Sequence, residues 1–176
     1  QPMALKLLFS DPQGKILGAQ IVGGEGVDKR IDVIATAIRA GMTVYDLEEL
    51  ELAYAPPFSS AKDLVNIAGF AAANLIKGDM ETILPAELAK ADPGAFVLLD
   101  VRTAMEVRML GALNGAIHIP IDELRDRLKD LDREKTFVIY CAVGQRAYLG
   151  YRILKQNGFR VKNLSGGYET FKLFQK

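Results

Sequence analysis

The stretch Phe137–Gly158 most constrains what this chain can fold into. Four apolar residues, Phe137, Val138, Ile139 and Tyr140, run straight into the only cysteine, Cys141. The loop Ala142-Val143-Gly144-Gln145 follows. Arg146 then opens a segment in which Ala147, Leu149–Tyr151, Ile153 and Leu154 recur at helical spacing. An apolar run this short reads as a buried strand, and the turn after it as the strand-to-helix corner of an α/β unit. Chemistry in such sheets sits at the carboxyl ends of strands, beside helix amino termini. A helix start offers unpaired backbone N–H groups and a positive dipole end, both suited to an anion, and a thiol placed there has its thiolate favoured. One cysteine, one arginine and a cradle of amides are therefore set out for an anionic sulfur species. Cys141 and Arg146 are the candidate catalytic residues. Ala142, Val143, Gly144 and Gln145 are the candidate binding residues, acting through backbone N–H groups, with Gly144 supplying the permissive backbone of a tight loop.

Four residues separate Cys141 from Arg146. Cysteine-dependent phosphatases place five between the corresponding residues, a wider loop that fits a tetrahedral phosphate. The shorter loop resembles the C-x-x-G-x-R loop of rhodanese-family sulfurtransferases. Phe96-Val97-Leu98-Leu99 running into Asp100-Val101-Arg102 is similar to the D-x-R segment of that family. Gly111 to Pro120 (G-A-L-N-G-A-I-H-I-P) resembles its G-H-I-P-G-A-x-N-I-P segment, and Asn163-Leu164-Ser165-Gly166-Gly167-Tyr168 its closing L-x-G-G segment. The resemblance runs from about Glu81 to Phe174 in the family's order. Ala112, Asn114 and Phe171 depart from it, standing where His, Pro and Trp are usual. These departures bear on substrate preference rather than on fold. The resemblance implies an α/β domain with a parallel central sheet, in which Cys141 carries a transferable sulfur as a persulfide.

The first part of the chain carries a second resemblance. The segments Ile16–Gly23 (I-L-G-A-Q-I-V-G), Gly26–Asp32, Ala40–Leu47 and Tyr54–Asp63 (Y-A-P-P-F-S-S-A-K-D) together resemble the dimerisation domain of flavin-dependent pyridine nucleotide-disulfide oxidoreductases, closest to the coenzyme A-disulfide reductase and NADH oxidase branch. This predicts an α+β dimerisation domain over residues 1–78, ahead of the rhodanese domain over 79–176. It also implies that the chain is the tail of a longer, homodimeric reductase. FAD, NAD(P)H and coenzyme A would serve the intact protein, with no cofactor site in this piece. In the resembling family a tyrosine at the Tyr54 position reaches the partner subunit's active site near coenzyme A and flavin; otherwise Tyr54 is an ordinary interface residue.

Composition narrows the field. At 49% hydrophobic and 25% charged over 176 residues the chain is globular. Net charge is zero, and no basic run gives a footprint for nucleic acid. No apolar run approaches membrane-spanning length. A single cysteine forms no internal disulfide, which points to a reducing cytoplasm.

The remaining pattern gives a hairpin (Ala4–Phe9 and Lys15–Val22) and helices at Val27–Ala40, Val44–Leu52 and Ala61–Ile76, the last capped by Ser59 or Ser60. Tyr54-Ala55-Pro56-Pro57-Phe58 must be extended or turning. Lys77-Gly78-Asp79 is the expected boundary. Beyond it strands at Ile83–Leu84, Phe96–Val101, Ala116–Ile119, Thr136–Tyr140 and Val161–Leu164 alternate with helices at Pro85–Lys90, Ala104–Leu110, Asp122–Leu131, Arg146–Asn157 and Gly167–Phe174. Such alternation predicts a parallel sheet with helices on both faces.

Asp100 and Arg102 are candidate substrate-binding or loop-bracing residues, the alternative being a simple salt bridge. His118, the only histidine, reads as a packing residue in a strand. Gly24-Glu25-Gly26 is not a dinucleotide fingerprint, because Lys29 stands where the third glycine belongs. The expected donors are sulfane-sulfur small molecules such as polysulfide or coenzyme A persulfide. The competing readings are a rhodanese domain kept for docking or sensing, and a phosphatase or arsenate reductase.

Overall fold

The computed structural model describes residues 3–57, 59–92 and 94–174. Phe58, at the end of the proline segment, lies outside the described residues. The chain divides into two compact units, Gln1–Asp79 and Met80–Lys176.

The first unit is α+β. Strands β1 (Met3–Phe9) and β2 (Ile16–Gly23) form an antiparallel hairpin, followed by helices α1 (Val27–Ala40), α2 (Val44–Glu49) and α3 (Leu64–Ile76). Ile16, Ile34, Ala37, Val44, Leu47, Val65, Ala72 and Ala73 make its buried core. The small residues of α3 serve a close crossing: a Cβ built on Gly69 would lie 2.5 Å from the Glu48 backbone N. Two expectations need correction. Helix α2 stops at Glu49 rather than Leu52, because the Asn66 side chain donates to the carbonyls of Leu47 (3.1 Å) and Leu50 (2.8 Å) and closes its end. Helix α3 is capped by Asp63, not by Ser59 or Ser60. Its carboxylate accepts from Val65 N, while Asn66 Oδ1 accepts from Asp63 N. Arg30 fixes that carboxylate through two hydrogen bonds of 2.7 and 3.0 Å.

The second unit is α/β. Strands β3 (Thr82–Ile83), β4 (Val97–Asp100), β5 (Ile117–His118), β6 (Thr136–Tyr140) and β7 (Arg160–Leu164) form a five-stranded sheet in the order β3-β7-β6-β4-β5, parallel at every pairing. Central β6 is buried on both faces, hence its unbroken apolar run. Helix α4 is Pro85–Lys90, α5 Ala104–Leu110, α6 Gln145–Gln156 and α7 Gly167–Phe174. Leu88 of α4 and Tyr168 and Phe171 of α7 pack on the face presenting Val138 and Tyr140. Helix α6 covers the opposite face, where Gly150 lets it approach Ile139: a Cβ there would lie 2.4 Å from Ile139 Cδ1. Helices therefore flank both faces.

Residues 122–131 are not the expected helix. They form two 3-10 turns, Ile121–Glu123 and Leu128–Asp130. The Ile121 N–H is tied to the Val101 carbonyl (3.2 Å), and i→i+3 bonds such as Asp126 N to Glu123 O (3.1 Å) and Asp130 N to Arg127 O (3.0 Å) carry the segment onward.

Candidate active site

Strand β6 ends at Tyr140 and delivers Cys141 to the carboxyl edge of the sheet, where its side chain is 1% exposed. Gly144 is the N-cap of α6 with φ +118, a conformation that suits glycine. The turn it makes points its N–H at Cys141 Sγ, 3.1 Å away. Val143 and Gln145 are exposed, while Ala142, Gly144 and Arg146 are half-buried. The first turn of α6 adds N–H groups that have no carbonyl partner within the helix, and its dipole favours negative charge at the same point.

Two carbonyls of the loop are clamped from α7. Tyr168 N donates to Cys141 O (2.8 Å) and Glu169 N to Ala142 O (3.1 Å). This approach explains the second of the paired glycines before Tyr168. Gly167 has φ +62, and a Cβ on it would sit 2.6 Å from both Cys141 O and Ala142 O.

Asp100 and Arg102 lie inside the unit, both 0% exposed. Arg102 Nε and Nη2 donate to the two Asp100 carboxylate oxygens (2.9 and 2.6 Å), and Nη2 also donates to Gly111 O (2.7 Å). The guanidinium carbon lies 3.9 Å from the Tyr168 ring centroid, and Tyr168 stacks on Tyr140 at 6.3 Å. Leu113 N donates to the Tyr140 hydroxyl (3.1 Å), and the Tyr168 hydroxyl donates to Leu110 O (2.5 Å). Burial pushes the Tyr140 phenol above its ordinary pKa. Asp100 and Arg102 thus reach the loop through Tyr168 and present nothing to solvent. His118 Nε2 lies 2.8 Å from the Arg102 carbonyl, tying β5 to the same cluster.

Arg146 stands on the first turn of α6, close enough to Cys141 for the sulfur to contribute to its raised pKa. Its main partner is a residue that the sequence did not single out. Glu106 on α5 accepts from Arg146 Nη1 and Nη2 at 2.7 and 2.6 Å, a bidentate pair. The arginine holds the Glu106 carboxyl down at about 2, helped by the Thr103 N–H and hydroxyl. Thr103 and Glu106 also form the capping box of α5. That T-x-x-E spacing was the available signal; it marks a helix start and says nothing of a partner on α6.

Tyr54 belongs to the first unit, in a loop where it is 51% exposed. The Gly24–Gly26 segment does not fit a dinucleotide. It follows a hairpin strand rather than a parallel one, and the Arg30 guanidinium occupies the space beside Gly26, donating to its carbonyl at 3.0 Å. Among the described residues no three His, Cys, Asp or Glu side chains gather as a metal site, and no helix is long and apolar enough to cross a membrane.

Comparison with known proteins places both units. Residues 84–173 match the rhodanese-like domain family, and residues 1–65 match the pyridine nucleotide-disulphide oxidoreductase dimerisation domain. The reduced Bacillus anthracis CoADR-RHD superposes with a TM-score of 0.93 at 47% identity, over 97% of this chain and 30% of that one. A NAD-dependent persulfide reductase from A. fulgidus superposes at 0.84 with 43% identity, over 95% of this chain and 30% of that one. A coenzyme A disulfide reductase of Staphylococcus aureus is 48% identical over 71 residues, 40% of this chain and 16% of the relative. The chain therefore spans less than a third of these relatives. Its cysteine loop, clamped between α6 and α7 at the edge of a parallel sheet, belongs to the unit that carries the family match: the chain is a member of the rhodanese-like family, with a pyridine nucleotide-disulphide oxidoreductase dimerisation domain preceding the rhodanese-like domain.

Proposed function

We propose that the second unit is a sulfurtransferase module that carries sulfane sulfur as a persulfide on Cys141. The observation that supports this most is the Gly144 N–H aimed at Cys141 Sγ from 3.1 Å, at the start of a helix. Hydrogen bonds of this kind, in a site sheltered from water, favour the charged form of a sulfur nucleophile and of the terminal persulfide sulfur.

In the proposed reaction the Cys141 thiolate attacks the outer sulfur of a donor R–S–SH. The Cys141 Sγ–S bond forms, the donor S–S bond breaks, and R–S⁻ leaves. The Cys141 persulfide, held by the loop amides beside Arg146, then passes its outer sulfur to a thiolate acceptor by the reverse exchange. Ala142, Val143, Gly144 and Gln145 act through their backbone. Asp100 and Arg102 act at one remove, by fixing Tyr168 and so the Cys141 carbonyl.

The intact protein, on this reading, is a homodimeric flavin-dependent reductase of coenzyme A disulfide, persulfide or polysulfide. FAD, NAD(P)H and coenzyme A serve parts that precede this chain, and Tyr54 lies toward the partner's site. The module is tested by cyanolysis: the purified chain converts sulfane sulfur and cyanide to thiocyanate, and Cys141→Ser abolishes it. A Cys141→Ser variant as active as wild type overturns the assignment and leaves a docking or sensing module.

A further inference from the structure

The loop offers one guanidinium to a donor, and that charge is already taken. Arg146 is held by both oxygens of Glu106. The other arginine near the loop, Arg102, is buried against Asp100. In the proposed reaction, where Cys141 attacks as the thiolate, the reacting centre holds that charge and the Glu106 carboxylate against the single positive charge of Arg146. The flank beyond Glu106 adds no cation: it is a shallow hollow of about 260 Å³ lined by Thr103, Met105, Glu106, Met109 and Leu110. Met105 and Met109 are exposed there. A compact dianion such as thiosulfate meets net negative charge at close range, where Coulomb energies are largest. A monoanionic or neutral persulfide of an organic thiol does not, and its apolar arm finds an apolar flank.

Resting on the sulfurtransferase reading above, we propose that Glu106 is a specificity-determining residue: by neutralising Arg146 it sets the loop to accept persulfides of organic thiols and to reject thiosulfate. With the organic donor, the thiolate R–S⁻ leaves as the Cys141 Sγ–S bond forms. With thiosulfate, sulfite would leave as that bond forms, and two further negative charges would have entered the site.

The test compares kcat/KM for thiosulfate with kcat/KM for N-acetylcysteamine persulfide, in wild type, Glu106→Gln, Glu106→Ala and Glu106→Asp. The ratio of thiosulfate to organic persulfide should rise about tenfold in the Gln and Ala variants, which free one charge of Arg146, and stay at the wild-type value in Asp. A ratio unchanged in Gln and Ala, including a parallel loss of both activities, reduces Glu106 to a structural support and overturns the proposal. A rise in Asp equal to that in Gln also overturns it, since charge is then not the cause. Wild-type protein that turns over neither donor instead overturns the sulfurtransferase reading itself.

Discussion

The Arg102 guanidinium lies 3.9 Å from the centre of the Tyr168 ring, and the Tyr168 backbone N–H donates to the Cys141 carbonyl at 2.8 Å. A fully buried ion pair is thereby linked to the nucleophile through a single residue. Taking away one partner of such a pair leaves an unpaired buried charge, which costs about 3–5 kcal/mol. Arg102→Met should therefore destabilise the second unit by about 3–5 kcal/mol, read as a lower urea midpoint, and slow cyanolysis. Arg102→Lys should recover little, because lysine cannot bridge both Asp100 oxygens and the Gly111 carbonyl as a planar fork. A midpoint unchanged in Arg102→Met would contradict the role given to the pair.

Gly167 tests the clamp on the loop. An alanine there is forced into φ +62 and drives its Cβ to 2.6 Å from two carbonyl oxygens. The backbone strain alone costs about 1–3 kcal/mol, and the displaced carbonyls belong to Cys141 and Ala142. Cyanolysis should fall about tenfold or more, since small displacements of a reacting group are costly. Gly115→Ala is the control: its φ is +74 and nothing lies within 4 Å, so it should lose stability and keep activity. Equal activity in the two variants would contradict the clamp.

The Glu106–Arg146 pair predicts a pH dependence of stability. Arg146 holds the Glu106 carboxyl down to about 2, against an ordinary value of 4.5. The folded state thus binds the proton more weakly than the unfolded chain. The stabilisation is present in full above about pH 4.5 and is lost as pH falls toward about 2. Denaturant midpoints of wild type and Glu106→Gln should differ most near neutrality and converge through that window. A constant gap down to about pH 2 would contradict it.

In the first unit the decisive contact is backbone on backbone. A Cβ at Gly69 would meet Glu48 N at 2.5 Å and Val44 O at 2.9 Å, with no flexible side chain to yield. Gly69→Ala should therefore destabilise the unit by about 1–3 kcal/mol through overpacking, read as a lower thermal midpoint. A rise in that midpoint, the usual result of Gly→Ala on a free helix face, would show that α3 and α2 are not in contact there.

What the sequence disclosed follows from range. Strand β6 was legible because a strand buried on both faces leaves an unbroken apolar run, and α6 because its apolar residues repeat at helical spacing. The segment 122–131 misled because Leu124 and Leu131 are buried seven residues apart, the spacing of one α-helical face, although two separate 3-10 turns bring them to the core. What separates the two is the tie of Ile121 to the Val101 carbonyl, a contact between distant parts of the chain. The cap of α3 was misplaced for a similar reason, since Arg30 selects Asp63 from the first helix. Within the site, Cys141, Arg146 and the loop lie on one continuous stretch. Glu106 lies forty residues from its partner, and a lone glutamate on a short helix reads as surface. Tyr168 and Gly167 appeared only as part of a motif, because a backbone N–H reaching a carbonyl leaves no side-chain pattern.

Sulfur transfer through this unit requires sulfur to reach Cys141, and the most direct measurement is the intact mass of the protein after exposure to polysulfide and to coenzyme A persulfide, for wild type and Cys141→Ser. Wild type should gain one sulfur atom that cyanide removes, and Cys141→Ser should gain none. A wild-type mass unchanged by both donors, or an equal gain in the variant, would contradict the assignment of Cys141 as the sulfur carrier.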